Sequence, residues 1–113
     1  MTIKEYVKIH SNETFNNFHC IVIKPFSLFD KDRKEEQDAL AVLYRKLKEN
    51  GAWKPELAFF GLKDLAKKVD FSIEPKRFHI GYCHAYSYDA DIQITFFIDD
   101  ELFVKISRSC NDM

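Results

Sequence analysis

Residues 76–107 read KRFHIGYCHAYSYDADIQITFFIDDELFVKIS, and their pattern gives the strongest indication of the fold. Aromatic and β-branched residues that alternate with polar ones are typical of strands. The spacing predicts a two-residue turn at Asp89 and Ala90 and a three-residue loop at residues 99–101. The stretch therefore predicts three consecutive antiparallel strands.

The two-residue turn also fixes the predicted register of the first two strands. It places Gly81 opposite Ile98 and Cys83 opposite Phe96, so small residues on one strand meet large apolar residues on its neighbour. Such a face would let a helix approach closely. A one-residue change in the turn would exchange the two faces of the strand.

Alternation places a second set of side chains on the opposite face of these strands. This predicted aromatic-polar face mixes rings with polar groups, a composition enriched at protein interfaces. Its members are Tyr82, His84, Tyr86, Tyr88, Gln93, Phe97 and Lys105. We predict that they are accessible and bind a partner; the alternative is that the N-terminal strands or the Trp53 segment cover them.

The first quarter of the chain predicts two further strands. Residues 2–10 carry Ile3 and Ile9 on one side, and residues 18–24 are apolar enough for a central strand that Pro25 ends. These two strands are expected to form a hairpin with a long loop. The second of them is also expected to pair with the C-terminal strands and close the core.

Residues 30–50 predict one long helix. Asp30 or Asp32 can cap its first turn, and Gly51 is a suitable stop after its last. Its apolar stripe at helical spacing consists of Leu40, Leu43, Tyr44 and Leu47. Trp53 is expected to fold back onto this helix.

Residues 55–70 allow two interpretations. Leu57, Phe60, Leu65 and Val69 suit a second, shorter helix. Equally, the segment could begin with a short strand and become helical only after it. The run GLKDLAKKVDFS looks like the first helix of a helix-turn-helix, but proline and β-forming residues follow where a recognition helix would lie.

Acidic residues are concentrated at the start of the long predicted helix. Five acids occur within nine residues, which is more than helix capping and the helix dipole require. They are Asp30, Asp32, Glu35, Glu36 and Asp38. This acidic group is the second predicted partner-binding surface, and it would suit a basic partner.

Composition restricts the class of protein. The chain has 113 residues, 46% of them hydrophobic and 31% charged, which fits one folded domain over residues 1–113. The formal net charge of −1 disfavours nucleic-acid binding, which usually brings a basic excess. Three cysteines without disulfide spacing and the lack of a long apolar run predict a cytoplasmic protein with no membrane contact.

Chemical motifs are not evident in the sequence. His79 and Cys83 would share a strand face but lie about 13 Å apart along it, too far for one metal. No glycine-rich loop precedes a helix. We therefore predict no catalytic residue, no metal and no cofactor. A small enzyme with a histidine and carboxylates brought together by folding remains an alternative.

Together these observations predict an α+β fold with two layers. An antiparallel sheet of four or five strands would carry one long and one shorter helix on one face. The expected function is a small non-catalytic protein-binding domain, with a bacterial immunity protein that neutralises a toxin as the narrower hypothesis. Nucleic-acid binding through the aromatic sheet face is the alternative, and a homodimer is possible.

Overall fold

The computed structural model describes residues 1–10, 18–59, 65, 67–69, 72–83 and 91–110. Its helices are α1 (Ile3–His10), α2 (Arg33–Glu49) and α3 (Asp100–Ser109), and a 3-10 turn spans Phe26–Leu28. Its strands are β1 (Phe18–Pro25), β2 (Leu57–Phe59), β3 (Arg77–Cys83) and β4 (Asp91–Ile98). The predicted α+β class is confirmed.

The four described strands form one mixed sheet in the order β2-β1-β4-β3. β1 pairs antiparallel with β2, and β3 pairs antiparallel with β4. The central pair, β1 and β4, runs parallel, with Ile21 opposite Ile94 and Ile23 opposite Phe96. The predicted central position of residues 18–24 is confirmed, and the four-stranded sheet is mostly antiparallel, as predicted, with one parallel pair at its centre.

One core cluster contains side chains of the sheet and of helices α1, α2 and α3. Ile21, Ile23, Ile94 and Phe96 alternate along β1 and β4 with residues outside this cluster, as pleated strands require. The helical members of the same cluster are Ile3 of α1, Leu43 and Leu47 of α2, and Phe103 and Val104 of α3.

The strand predicted over residues 2–10 is wrong, because this segment is helix α1. A reciprocal capping box starts the helix: the Glu5 amide donates to Thr2 Oγ1 at 3.2 Å, and the Thr2 amide donates to Glu5 Oε1 at 3.4 Å. Ile3 is fully buried, and Tyr6 packs against Phe78 with ring centroids 4.4 Å apart. The predicted hairpin between residues 2–10 and β1 therefore does not exist.

The third strand predicted after residue 101 is also wrong. Asp99 caps helix α3, because its Oδ2 accepts from the amides of Glu101 and Leu102 at 3.1 and 3.3 Å. The buried residues Phe103, Val104 and Ser107 then follow a helical period rather than strict alternation. Asp100 adds a long-range bond, since its Oδ1 accepts from the Ser27 amide at 2.9 Å.

The register between β3 and β4 differs from the predicted one. Gly81 pairs with Gln93 instead of Ile98, and Phe78 pairs with Phe96. The offset is five residues, and an odd offset exchanges the two faces of β3. The predicted match of small residues with large ones is therefore wrong; the turn predicted at Asp89 and Ala90 lies outside the described residues.

Helix α2 follows its prediction closely. Asp32 is the N-cap, and its side chain accepts from the Glu35 amide at 2.8 Å. Gly51 adopts a left-handed φ of 75° just beyond the helix, a conformation that glycine tolerates best. Of the two interpretations of residues 55–70, the short strand is the observed one, and Leu65, Lys67 and Lys68 are helical.

Candidate protein-interaction surface

The side of β4 that faces away from the core carries the residues that alternation predicts, but the residues beside them on β3 differ from the predicted ones. Gln93, Thr95 and Phe97 share one face, opposite the core residues of the same strand. The register places Gly81, His79 and Arg77 beside them on β3, where His84 and two tyrosines were predicted. On the other side, Val22 and Lys24 of β1 stand opposite Thr95 and Phe97.

Phe97 is not the accessible binding residue that alternation predicts. It is 5% exposed, and the Phe29 ring packs edge-on against it with centroids 5.1 Å apart. The exposed His79 ring adds a second contact at 5.7 Å. Gln93 is half-buried and donates from Nε2 to Thr95 Oγ1 at 3.3 Å. The middle of this face therefore packs within the protein.

The other predicted members of the aromatic-polar face fall elsewhere. The backbone of Tyr82 pairs with Ile92 instead of Phe97. Lys105 is exposed, but it belongs to helix α3 and not to the sheet. The side chain of Tyr82 and residues His84, Tyr86 and Tyr88 lie outside what the structure describes.

Two half-buried phenylalanines extend the packing around Phe97. The rings of Phe26 and Phe29 are stacked, with centroids 5.7 Å apart. Lys76 Nζ lies 5.2 Å from the Phe26 centroid, and the Arg77 guanidinium carbon lies 6.0 Å from that of Phe29. Cations at these distances are attracted by the ring quadrupole. We refer to Phe26, Phe29, Phe97, Lys76 and Arg77 as the phenylalanine cluster.

The acidic group of α2 divides by role. Asp32 has a structural task, since it caps the helix. Asp30 has a left-handed φ of 50° in the connection before it, a conformation that aspartate tolerates better than most residues. Glu35 and Glu36 lie in the first turn with exposed side chains, where the helix dipole favours them.

Trp53, which was predicted to fold back onto the long helix, is the largest exposed side chain in the described part of the chain. Trp53 is 62% exposed, and Tyr44 of α2 is 47% exposed. Beyond the helix, the Ala52 amide donates to the Leu47 carbonyl at 2.8 Å, and this bond turns the chain back alongside α2. Trp53 does return towards the helix, as predicted, but most of its surface remains in water.

Trp53 and Tyr44 line an open groove of about 500 Å³. Among the described residues, its lining consists of Tyr44, Lys48, Gly51, Ala52 and Trp53, which we call the Trp53 patch. Its described walls are mainly apolar, and Lys48 is the charged residue among these five. The sequence did carry a signal for it: Tyr44 lies at the margin of an apolar stripe whose centre is Leu43 and Leu47.

Other chemistry has little support in the described residues. Within them, no group of three or more histidine, cysteine or acidic residues is placed to hold a metal ion. Cys110 is 2% exposed and lies at the C-cap position of α3. No helix in the described ranges is long and apolar enough to cross a membrane.

No protein-family model matches the chain, and no curated protein or solved structure matches it either.

Proposed function

We propose that this protein is a small binding domain that acts by forming a stoichiometric complex with another protein. The exposure of Trp53 beside Tyr44 carries the proposal. Tryptophan and tyrosine are the residues most enriched at the energetic centres of protein interfaces. Leaving both rings in water forgoes a large area of apolar burial, which a partner could recover.

The groove suggests the chemistry of that partner. An apolar side chain would fill the space between the two rings, and an acidic neighbour could reach Lys48 at the margin. A desolvated aromatic anchor with charges at the rim is the usual anatomy of a tight interface.

A narrower form of the proposal is that the partner is a toxin domain and that this chain is its cytoplasmic, bacterial immunity protein. Its support is the exposed acidic surface at the start of α2, where Asp30, Glu35 and Glu36 could face a basic protein. This acidic surface and the Trp53 patch lie towards opposite ends of a helix about 25 Å long, so a partner that spans α2 could contact both.

The test compares tagged variants in their native cells. We expect Trp53→Ala to lower recovery of the stoichiometric partner about tenfold or more, because truncating an interface anchor costs at least about 1.4 kcal/mol. Ile80→Ala is the matched control, since Ile80 is a 44% exposed apolar residue on β3. Equal recovery by both variants, with unchanged circular dichroism, would contradict the proposal.

Nucleic-acid binding is the second candidate, and the phenylalanine cluster favours it. Exposed Lys76, Arg77 and His79 could contact a phosphate backbone beside aromatic rings. Against it, Lys76 and Arg77 already lie over the Phe26 and Phe29 rings, where a base would have to stack. Titration with a fluorescent single-stranded oligonucleotide at low salt decides the point, because binding that disappears in Arg77→Ala would favour this candidate.

A further inference from the structure

On the exposed side of α2, charges at equal distances on either side of the middle of the helix have opposite signs. Its residues, all exposed, are Lys34, Glu35, Asp38, Ala41, Val42, Arg45, Lys48 and Glu49, which we call the α2 outer face. Each charge has the opposite charge at the same distance beyond the midpoint between Ala41 and Val42. The midpoint itself is apolar, and Val42 is 55% exposed.

These residues share one side of the helix. They recur at intervals of three, four and seven positions, which superimpose on a helical surface. The core stripe of Leu43 and Leu47 lies on the other side. The outer face is therefore available along the whole length of the helix.

The charges of this face have no partners within the described part of the chain. The ion pairs found there join the N-terminus to Glu74, Lys24 to Glu56 and Lys76 to Asp99, and none involves α2. The opposite charges of α2 are thus not used to stabilise the monomer through ion pairs.

We propose that two copies of this chain associate through the α2 outer face, with the two helices antiparallel about a two-fold axis between Ala41 and Val42. In such an isologous contact every pair occurs twice. Asp38 faces Arg45 of the second copy, Glu35 faces Lys48, and Lys34 faces Glu49. Ala41 and Val42 meet at the centre, where the small alanine lets the helices approach.

Charge complementarity selects this orientation and register. A parallel arrangement would place Asp38 against Asp38 and Arg45 against Arg45. An antiparallel arrangement displaced by one turn would place Asp38 against Glu49. Like charges in direct opposition disfavour both alternatives.

The strength of the contact is limited by its size. One pair of helices about 25 Å long is at the small end of specific interfaces, and exposed ion pairs contribute roughly 0.2–1 kcal/mol each. We therefore expect a dissociation constant of roughly 10–100 µM that rises with salt, since salt screens exposed charges.

Sedimentation velocity of the purified protein tests the contact without any other partner. We expect a monomer–dimer equilibrium, and we expect Asp38→Arg or Arg45→Asp alone to raise the dissociation constant about tenfold or more. The double variant with both changes restores the opposite pairs, so its affinity should return to within about threefold. Lys105→Glu, an exposed helical charge on α3, is the control and should change nothing.

A monomer at about 1 mM would overturn the proposal. So would a dimer that withstands either single reversal, or one that the double variant does not restore. A dimer would occupy Glu35 and Lys48, which the proposed partner could also contact, so the two complexes would compete for these residues. Absence of the dimer would still leave the complex with another protein untouched, because the test of that complex truncates Trp53, which lies outside the α2 outer face.

Zero-length carbodiimide cross-linking tests the register directly. Glu35 and Lys48 are about 20 Å apart along one helix, so a covalent amide between them can form only between two copies. Mass spectrometry of a mixture of ¹⁴N and ¹⁵N protein should find the 35–48 link as mixed-isotope pairs. Cross-linked dimers that lack both this link and the 34–49 link would refute the antiparallel register.

Discussion

Two single residues, Asp99 and Asp100, have structural roles that the neighbouring sequence does not indicate. Asp99 and Asp100 follow a strand and precede an apolar run, which suggested a loop between strands. In the structure, the Asp99 side chain caps α3, and the Asp100 carboxylate accepts a hydrogen bond from the Ser27 amide at 2.9 Å. The same acids fit either interpretation, because capping residues and turn residues are chemically alike.

We expect Asp99→Ala to lower the free energy of unfolding by about 1 kcal/mol, because the amides of Glu101 and Leu102 would lose their acceptor. The exposed ion pair with Lys76 adds little to this. Urea denaturation measures the change. Asp99→Asn keeps the capping oxygen and should retain most of the stability; equal losses for both variants would argue against a cap.

Two secondary-structure elements, α1 and α3, have sequences that favour strands although both segments are helical. The runs IKEYVKIH and LFVKIS are rich in β-branched and aromatic residues, so both suggest strands. Both are helices. In α3, burial at intervals of three and four outweighs the weak intrinsic preference of these residues for a helix. The better signals were Thr2 with Glu5, a capping box, and Asp99 followed by two further acids.

The helical identity of α3 predicts a contrast between two of its residues. As a strand, the segment would place Phe103 and Lys105 on the same outward face, and both would tolerate substitution. In the helix, Phe103 is fully buried and Lys105 is exposed.

We therefore expect Phe103→Ala to lower the free energy of unfolding by about 3–5 kcal/mol, because it leaves a cavity in the core. Lys105→Ala should change it by less than about 0.5 kcal/mol. Thermal denaturation followed by circular dichroism compares the two. If Phe103→Ala prevents folding, Phe103→Leu should give a smaller loss, and no loss in either variant would mean that the side chain is not in the core.

The features predicted correctly depend on neighbouring residues in the sequence, whereas those predicted wrongly depend on contacts between distant segments. Helix α2, strand β1 and the core face of β4 depend on local periodicity and were predicted. The β3–β4 register depends on a connection outside the described residues, and the parallel pairing depends on contacts between distant segments. The binding surface predicted on the sheet includes Phe97, because strand alternation alone does not indicate that the Phe29 ring packs against it.

The folded protein carries a built-in fluorescent reporter, because Trp53 is the single tryptophan of the chain. Since it is 62% exposed, we expect a fluorescence maximum near that of tryptophan in water and strong quenching by acrylamide. Binding of a protein at the Trp53 patch should shift the maximum to shorter wavelength and reduce quenching. A maximum already at short wavelength in the isolated protein would contradict the exposure of this side chain.

The parallel pairing of β1 with β4 also determines when the protein can fold. Ile21 meets its partner Ile94 only after 73 further residues have been made, and β4 lies between β1 and β3. A nascent chain without β4 leaves β3 without its described partner and one edge of β1 unpaired, since β1 can then pair only with β2. Contacts between such distant segments slow folding. During synthesis the growing chain is therefore exposed to aggregation until β4 leaves the ribosome.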